Sequence, residues 1–314
     1  MVYRITLVAA IVLVFSASLL AQRRMEAPFR PAAMPTWQCQ RIVSMAPSIT
    51  ETLYALGLGD QVVGVTRDCK YPPEAQEKPR IGGYYDPNYE VILSLKPDLV
   101  VMLEEHEQSL PGFEKLKLET LIVSHQTVEG VIESFRTIGR VCGKGPEGRR
   151  LAYDFERRLR RIREETRLLP KPRVLMALDR TMGSGHLADV YVVGGDDYFD
   201  RMIELAGGQN AYTDRRVRYP VLSPEGMLGL NPDVIVELVC QAVLEQTDRK
   251  TIADDWNDLG QVEAVKRHRI LVFDQEYATV PGPRCILLIE DMARALHPEV
   301  NWDGTDEDTD TGYH

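Results

Sequence analysis

The feature that most constrains this chain is a segment that occurs twice. Residues 89–101 read YEVILSLKPDLVV and residues 224–236 read PEGMLGLNPDVIV. Glu90 matches Glu225, Leu93 matches Leu228, Leu95 matches Leu230, Pro97 matches Pro232 and Asp98 matches Asp233, and two apolar residues then follow in each copy. Each copy predicts a short helix, a Pro-Asp turn that stops it and a buried strand, because a residue before proline is steered out of the right-handed helical region. Helix–Pro-Asp–strand turns are common in proteins that alternate helices and strands. That commonness does not account for a glutamate seven positions before the proline in both copies. Two related halves are therefore expected.

The pattern around each copy agrees. In the first half, Ile42, Val43, Ser44 and Met45 form a short apolar run that predicts a buried strand. Ser48 followed by Glu51 has the spacing of a capping box, and the helix they open carries Ile49, Leu53 and Leu56 on one face and stops at Gly57. Residues 62–65 and 99–102 predict further strands. In the second half, residues 173–177 predict a strand and residues 198–206 a helix closed by Gly207 and Gly208. Strand, helix, strand in this order gives a mainly parallel sheet covered by helices, so the fold class is α/β with two Rossmann-like lobes. Between the halves, Leu151, Phe155, Leu159, Ile162, Thr166 and Leu169 recur at helical spacing, with arginines over the remaining faces and Glu156 and Glu164 available for local pairing. This predicts a single backbone helix over 146–169, about 35 Å long at its ordinary rise, bridging the lobes as a strut.

The 314 residues suffice for two domains of ordinary size. A formal net charge of -10 excludes a nucleic-acid partner, which needs clustered unpaired lysine and arginine. Arg4 and the apolar run over 5–20, followed by Ala21, read as an export signal, either cleaved or kept as an N-terminal anchor. The expected organisation is a leader over 1–21, a Pro- and Arg-rich tether over 22–40, and lobes over 41–145 and 170–298 flanking the strut. Residues 299–314 are expected to be an acidic, unstructured tail. Five cysteines (Cys39, Cys69, Cys142, Cys240, Cys285) leave at least one unpaired if the rest form disulfides, and their pairing is open.

With these blocks in order, the chain resembles the helical-backbone (class III) solute-binding proteins of iron-siderophore and vitamin B12 ABC importers. The resemblance covers about 41–297 and rests on RIVSMAPSITE (41–51), Gly64 and Val65 with YPPEA (71–75), GGYYDPN (82–88) and LKPDLV (95–100). It implies a periplasmic or otherwise extracytoplasmic, monomeric, non-enzymatic receptor without a resident cofactor. Such a receptor captures a metal chelate, a ferric siderophore or a cobalamin-like corrinoid, in a cleft between the lobes and delivers it to an ABC permease. By matched position, Glu90 and Glu225 are the permease-docking glutamates. Two separated carboxylates, one per lobe, suit a two-fold partner; each also suits the first turn of its helix through the macrodipole.

Matched positions also place the ligand contacts on loops that follow strands: Arg67 and Cys69, Tyr84 and Tyr85, residues 104–107, His186, Tyr219, Cys240, and Tyr277 and Arg284. The tyrosines offer flat amphipathic faces to a chelate or corrin ring. Arg67, Arg218 and Arg284 suit anionic ligand groups. Cys69 and Cys285 are open to an inter-loop disulfide, a soft metal contact or plain burial. The family's vitamin-binding members favour tryptophan where this chain has tyrosine.

Two other readings are weighed. A receptor for bare Zn²⁺ or Mn²⁺ would share the fold, but needs three or four converging His and carboxylate ligands, and six histidines, several poorly placed, offer little beyond the Glu104–Glu107 stretch. An exported hydrolase would need a nucleophile, and Ser184 between Gly183 and Gly185, with Asp179 and His186 nearby in sequence, lacks the nucleophile-elbow pattern.

Overall fold

The structure, a computed structural model, describes residues 38–302. The expected leader, most of the tether and the acidic stretch after Trp302 lie outside the described residues.

The first lobe runs β1 (Ile42–Ser44), α1 (Pro47–Ala55), β2 (Val62–Val65), α2 (Tyr89–Ser94), β3 (Leu99–Leu103), α3 (Leu110–Lys115), β4 (Thr120–Val123) and α4 (Val128–Val141). Its four strands are all parallel, in the order β2-β1-β3-β4. Every residue of β1 and β3 is buried, as a sheet covered on both faces requires. α5 (Gly145–Thr166) then leads to the second lobe. That lobe comprises β5 (Arg173–Asp179), β6 (Val190–Val192), α6 (Tyr198–Leu205), β7 (Gln209–Asn210), β8 (Val221–Leu222), α7 (Pro224–Leu230), β9 (Val234–Leu238), α8 (Gln241–Leu244), α9 (Arg249–Asp254), α10 (Glu263–Lys266), β10 (Ile270–Phe273) and α11 (Cys285–Leu296). Its sheet has the order β10-β9-β5-β6-β8, with β7 also on β5. β7, β9 and β10 run parallel within it, and β6 and β8 add an antiparallel edge.

The repeated segment forms the same structure in both lobes. Lys96 and Asn231, the residues before the matched prolines, both take left-handed backbone, with φ of 48° and 43°. The helix therefore ends there, and the chain turns into β3 or β9. Asp98 then accepts backbone N–H bonds from Gln40 (2.8 Å) and Arg41 (3.1 Å), and Asp233 accepts one from Arg173 (2.8 Å). In each lobe this carboxylate fastens the turn to the start of the lobe's first strand, and the Asp98 and Asp233 N–H groups return a bond to the Arg41 and Arg173 carbonyls. The Pro-Asp pair is thus a strand-joining device used twice.

One local expectation is corrected. The capping box at Ser48 and Glu51 does not form, because the helix begins at Pro47, whose missing N–H is no loss in a first turn, and Ala46 is the uncapped N-cap. Ser48 Oγ instead meets Nδ1 of the buried His125 at 2.9 Å, and Glu51 turns toward the other lobe.

α5 buries Leu151, Ala152, Phe155, Ile162 and Thr166, and Leu168 lies beyond its end, 84% exposed. Arg136 of α4 reaches Glu156 at 2.6 Å, and Arg158 holds Glu290 of α11 through two bonds of 2.7 and 2.5 Å. The helix is not the lobes' only connection. One apolar core runs from Ile42, Ile49 and Leu53 through Phe155 and Ile162 to Val174, Met176, Leu288 and Ile289. Across this seam Arg284 donates to both oxygens of Glu51, at 3.0 and 2.6 Å, while its guanidinium lies 3.5 Å from the centre of the Tyr71 ring. Burial pushes the Glu51 carboxyl pKa up, and the Arg284 guanidinium pulls it the other way. Cys39 and Cys142 form a disulfide between the entry to β1 and the end of α4.

Two stability predictions follow from these links. Replacing Cys39 and Cys142 by serine should lower the unfolding free energy by about 2–5 kcal/mol in urea titration, since the bond closes a long loop in the unfolded chain. Arg284→Met, which strands a buried carboxylate, should cost about 3–5 kcal/mol, and adding Glu51→Gln to it should restore much of that loss.

Candidate functional site

In sheets built this way, ligands lie outside the carboxyl ends of the parallel strands, where chain reversals leave a crevice. In the first lobe those ends lead into residues 66–70 after β2 and the 3-10 turn Glu104–Ser109 after β3. In the second they lead into residues 180–189 after β5, Cys240 after β9 and residues 274–284 after β10.

The wall of the first lobe gathers several of the expected residues. Residues 82–88 form a tight loop closed by the bridge of Gly82 with Pro87. Arg67 crosses to Asp86 at 3.2 Å, and both groups are exposed. A Cβ on Gly83 would fall 2.3 Å from Arg67 Nη2 and 2.1 Å from Asp86 Oδ1, so a side chain there would push the exposed ends of this pair aside. Tyr85 is 72% exposed, and the half-buried Tyr84 meets it edge-on at 4.7 Å between ring centres. Behind Tyr84 lies His106, 4.4 Å away between ring centres and almost wholly buried.

His106 escapes sequence reading, because a histidine within Glu104–Glu107 looks like part of a solvated loop. The 3-10 turn folds its ring inward, and Nδ1 accepts the Leu103 N–H at 3.1 Å. That bond leaves the proton of the neutral ring on Nε2, which is buried without a hydrogen-bond partner. Burial lowers the His106 pKa to about 4, so the ring is neutral at physiological pH. With its Nδ1 lone pair committed to the Leu103 N–H, the ring backs Tyr84. Among the described residues, no group of three or more His, Cys, Asp or Glu side chains is placed to hold a metal ion.

The second lobe contributes separate groups. Tyr219, 47% exposed, donates its hydroxyl to Asp197 at 3.0 Å, which leaves part of the ring open; Arg218 beside it is exposed. His186 is exposed and lies 3.5 Å from Asp258. Its loop is held from below by a buried network that no local sequence signal announces. Arg180 donates to both oxygens of Glu237 (2.6 and 2.9 Å) and to Asp255 (2.6 Å), and Trp256 Nε1 donates to Glu237 at 2.7 Å. Asp255 in turn accepts the backbone N–H groups of Gly183 and Gly185, each at 2.7 Å. The Ser184 hydroxyl is occupied by the His186 carbonyl, 2.8 Å away.

Other expected residues sit differently. Cys69 is fully buried, its sulfur accepting from Thr50 and meeting Thr66, because the loop after β2 folds back over α1. Cys285, likewise buried, begins α11, so burial is the outcome for both thiols. Arg284 is spent on Glu51, Glu276 and Tyr71 within the seam. Tyr277 is half-buried against the shared core, with its hydroxyl donated to Asp291 at 2.6 Å. Cys240 is an exposed free thiol at the end of β9.

Hollows elsewhere on the described residues do not coincide with the rings of Tyr85 and Tyr219. One of about 970 Å³ runs along α5 and is lined by Glu129, Arg160, Arg163 and Arg201 among others; the second, about 640 Å³, lies at the seam over Tyr54, Tyr71 and Arg284. Neither is lined by Tyr84, Tyr85 or Tyr219. Depth alone does not mark a ligand surface, and Tyr85 and Tyr219 present exposed rings outside these hollows.

Glu90 and Glu225 are exposed and occupy equivalent places, each the second residue of its short helix. Asn88 caps α2 by accepting the Val91 N–H at 3.1 Å, and Ser223 caps α7 by accepting the Gly226 N–H at 3.3 Å. Hydrogen bonds from its own N–H and from Ser223 hold the Glu225 carboxyl below its ordinary pKa.

Comparison with known proteins places this architecture. The family described as periplasmic binding protein matches residues 42–277. The ABC transporter substrate-binding lipoprotein YvrC of Bacillus subtilis is 31% identical over 265 residues, covering 83% of this chain and 81% of its own. The vitamin B12-binding protein of Vibrio cholerae is 27% identical over 303 residues, covering 93% and 97%. Among solved structures, the periplasmic heme-binding protein RhuT of Roseiflexus sp. RS-1 superposes with a TM-score of 0.69 at 29% identity, over 82% of this chain and 98% of its own. Two α/β lobes, a repeated Pro-Asp turn, a bridging helix and a match over most of the length lead to one conclusion: the chain belongs to the periplasmic binding protein family, the substrate-binding proteins of ABC importers.

Proposed function

We propose that this receptor captures a flat metal chelate of the tetrapyrrole class, corrinoid or haem, between the aromatic faces of its two lobes and hands it to a membrane permease. The observation that carries the reading is the exposure of Tyr85 and Tyr219, one in each lobe, with their neighbours arranged to hold each loop in place. Large exposed rings are costly to leave in water and pack well on a macrocycle. Arg67 meets Asp86, the chain neighbour of Tyr85, and Arg218 precedes Tyr219; both arginines suit a ligand's propionate or phosphate groups. A vitamin B12-binding relative and a heme-binding one point to the same ligand class. The bare-ion alternative lacks a converging ligand set among the described residues, and Ser184, the residue weighed as a nucleophile, meets the His186 carbonyl instead of a base.

The role needs no bond-making step. Rings and cations bind the chelate, the shared core keeps both walls in register, and Glu90 and Glu225 present separated carboxylates to basic groups on the permease. Extracytoplasmic placement belongs to the same proposal, and no helix among the described residues is long and apolar enough to cross a membrane.

Two measurements check it. Tyrosine and tryptophan fluorescence, followed while haem, cobalamin and ferric siderophores are added, should show saturable sub-micromolar quenching by a tetrapyrrole. Tyr85→Ala and Tyr219→Ala should each weaken that binding about tenfold without moving the melting temperature; unchanged affinity in both would remove these rings from the site, and saturation by a siderophore alone would change the ligand class. Glu90→Lys with Glu225→Lys should abolish uptake while leaving chelate affinity intact, and normal uptake by that double variant would end the docking assignment.

A further inference from the structure

α2 and α7 can be compared position by position. From Asn88 to Asp98 and from Ser223 to Asp233 the two copies repeat the same order of exposed, half-buried and buried residues, departing only at the proline. Between Glu90 and Asp98, five residues are identical to their counterparts: Glu, two Leu, Pro and Asp. Three of these have reasons inside the protein. Pro97 and Asp98, with Pro232 and Asp233, make the turn described above. Leu95 and Leu230 pack against the cores of their lobes.

The glutamate also suits the first turn of its helix, and Glu225 bonds to Ser223 and its own N–H, but the exposed leucine has no such reason. Glu90 and Glu225 point to solvent, and so do Leu93, 41% exposed, and Leu228, 36% exposed. Each leucine stands three residues after its glutamate, the spacing that puts two side chains on the same helical face. The neighbouring exposed position has meanwhile diverged, Ser94 against Gly229. A lone exposed leucine is ordinary. The same exposed leucine beside the same exposed glutamate, on two lobes whose other surface residues differ, is accounted for by a partner that offers the same surface twice.

We infer that Leu93 and Leu228 are apolar anchors of the permease-docking faces, each seated beside its glutamate in a hollow of a two-fold permease. This rests on the docking role proposed for Glu90 and Glu225. The two residue types divide the work: the carboxylates steer and orient through charge, and are screened by salt. The leucines, desolvated on contact, supply affinity that salt does not remove.

The test keeps the chain in the cells that make it. A photoreactive phenylalanine in place of Gly229 acts as the reporter, because that position is exposed and a side chain there meets nothing within 4 Å. Irradiation should crosslink it to an ABC permease subunit, identified by mass spectrometry. In the Leu93→Gln and Leu228→Gln background the crosslink yield should fall about tenfold, whereas Leu93→Met with Leu228→Met should keep it. The melting temperature and chelate affinity of all these variants should match the parent. A crosslink that survives both glutamine substitutions, yet disappears with Glu90→Lys and Glu225→Lys, would overturn the anchor assignment and leave the docking role standing. A reporter that never meets a permease subunit would overturn both.

Discussion

The arrangement of the two lobes depends on a seam that joins them directly, and within it on the pairing of Glu51 with Arg284. A hydrophobic interface is strong but indifferent to direction, and two apolar faces can slide past each other with little change in buried area. A buried carboxylate and guanidinium cannot. Their attraction offsets the cost of leaving water only when the two bonds are made, so the pair has one satisfactory alignment. Tyr71 closes the far side of the guanidinium, which ties the loop after β2 into the same junction. The pair therefore adds little net stability and a great deal of register.

Such a seam determines what sort of capture is open to this protein. A receptor whose lobes swing on a flexible linker gains affinity by closing and loses part of it to the ordering that closure demands. Here the strut is held at both flanks by Arg136–Glu156 and Arg158–Glu290, and an uninterrupted core passes beneath the crevice. Lobes fastened together in this way have less freedom to lose when a ligand arrives. Rigidity at the base also lets small supports matter at the rim. His106 backs Tyr84, and the Arg180 network holds the glycines on either side of Ser184, so the rim loops rest on buried polar groups with defined partners.

The sequence showed the duplicated halves, the strut and the equivalent places of Glu90 and Glu225 because each of those signals is local. The Pro-Asp turn works through backbone geometry within a few residues, and the strut announces itself through helical spacing. What stayed hidden depended on partners far along the chain. Ser48 and Glu51 have the spacing of a capping box, yet their partners are His125 and Arg284, and no local rule can see a bond across 233 positions. The same blindness placed Cys69 and Arg284 at the crevice, since a residue after a strand looks available until its long-range neighbour is known. His106 was masked by its company, three glutamates that do face solvent while the ring folds under them.

The two lobes also differ in a patterned way. The first sheet is wholly parallel, while the second carries the antiparallel edge of β6 and β8, with Tyr219 in the segment leading into β8. The loops proposed to face the ligand differ between the lobes: one wall has edge-to-face tyrosines and His106, the other an arginine network, His186 and Tyr219. The short helices bearing the glutamates have kept identical burial. A chelate of the proposed class has no two-fold symmetry, so nothing would preserve likeness between the walls that grip it. A permease built from two equivalent halves would preserve likeness in the surfaces that meet it. After duplication, likeness should therefore persist where the partner is symmetric and fade where the ligand is not, and the lobes of this receptor are alike and unlike in those places.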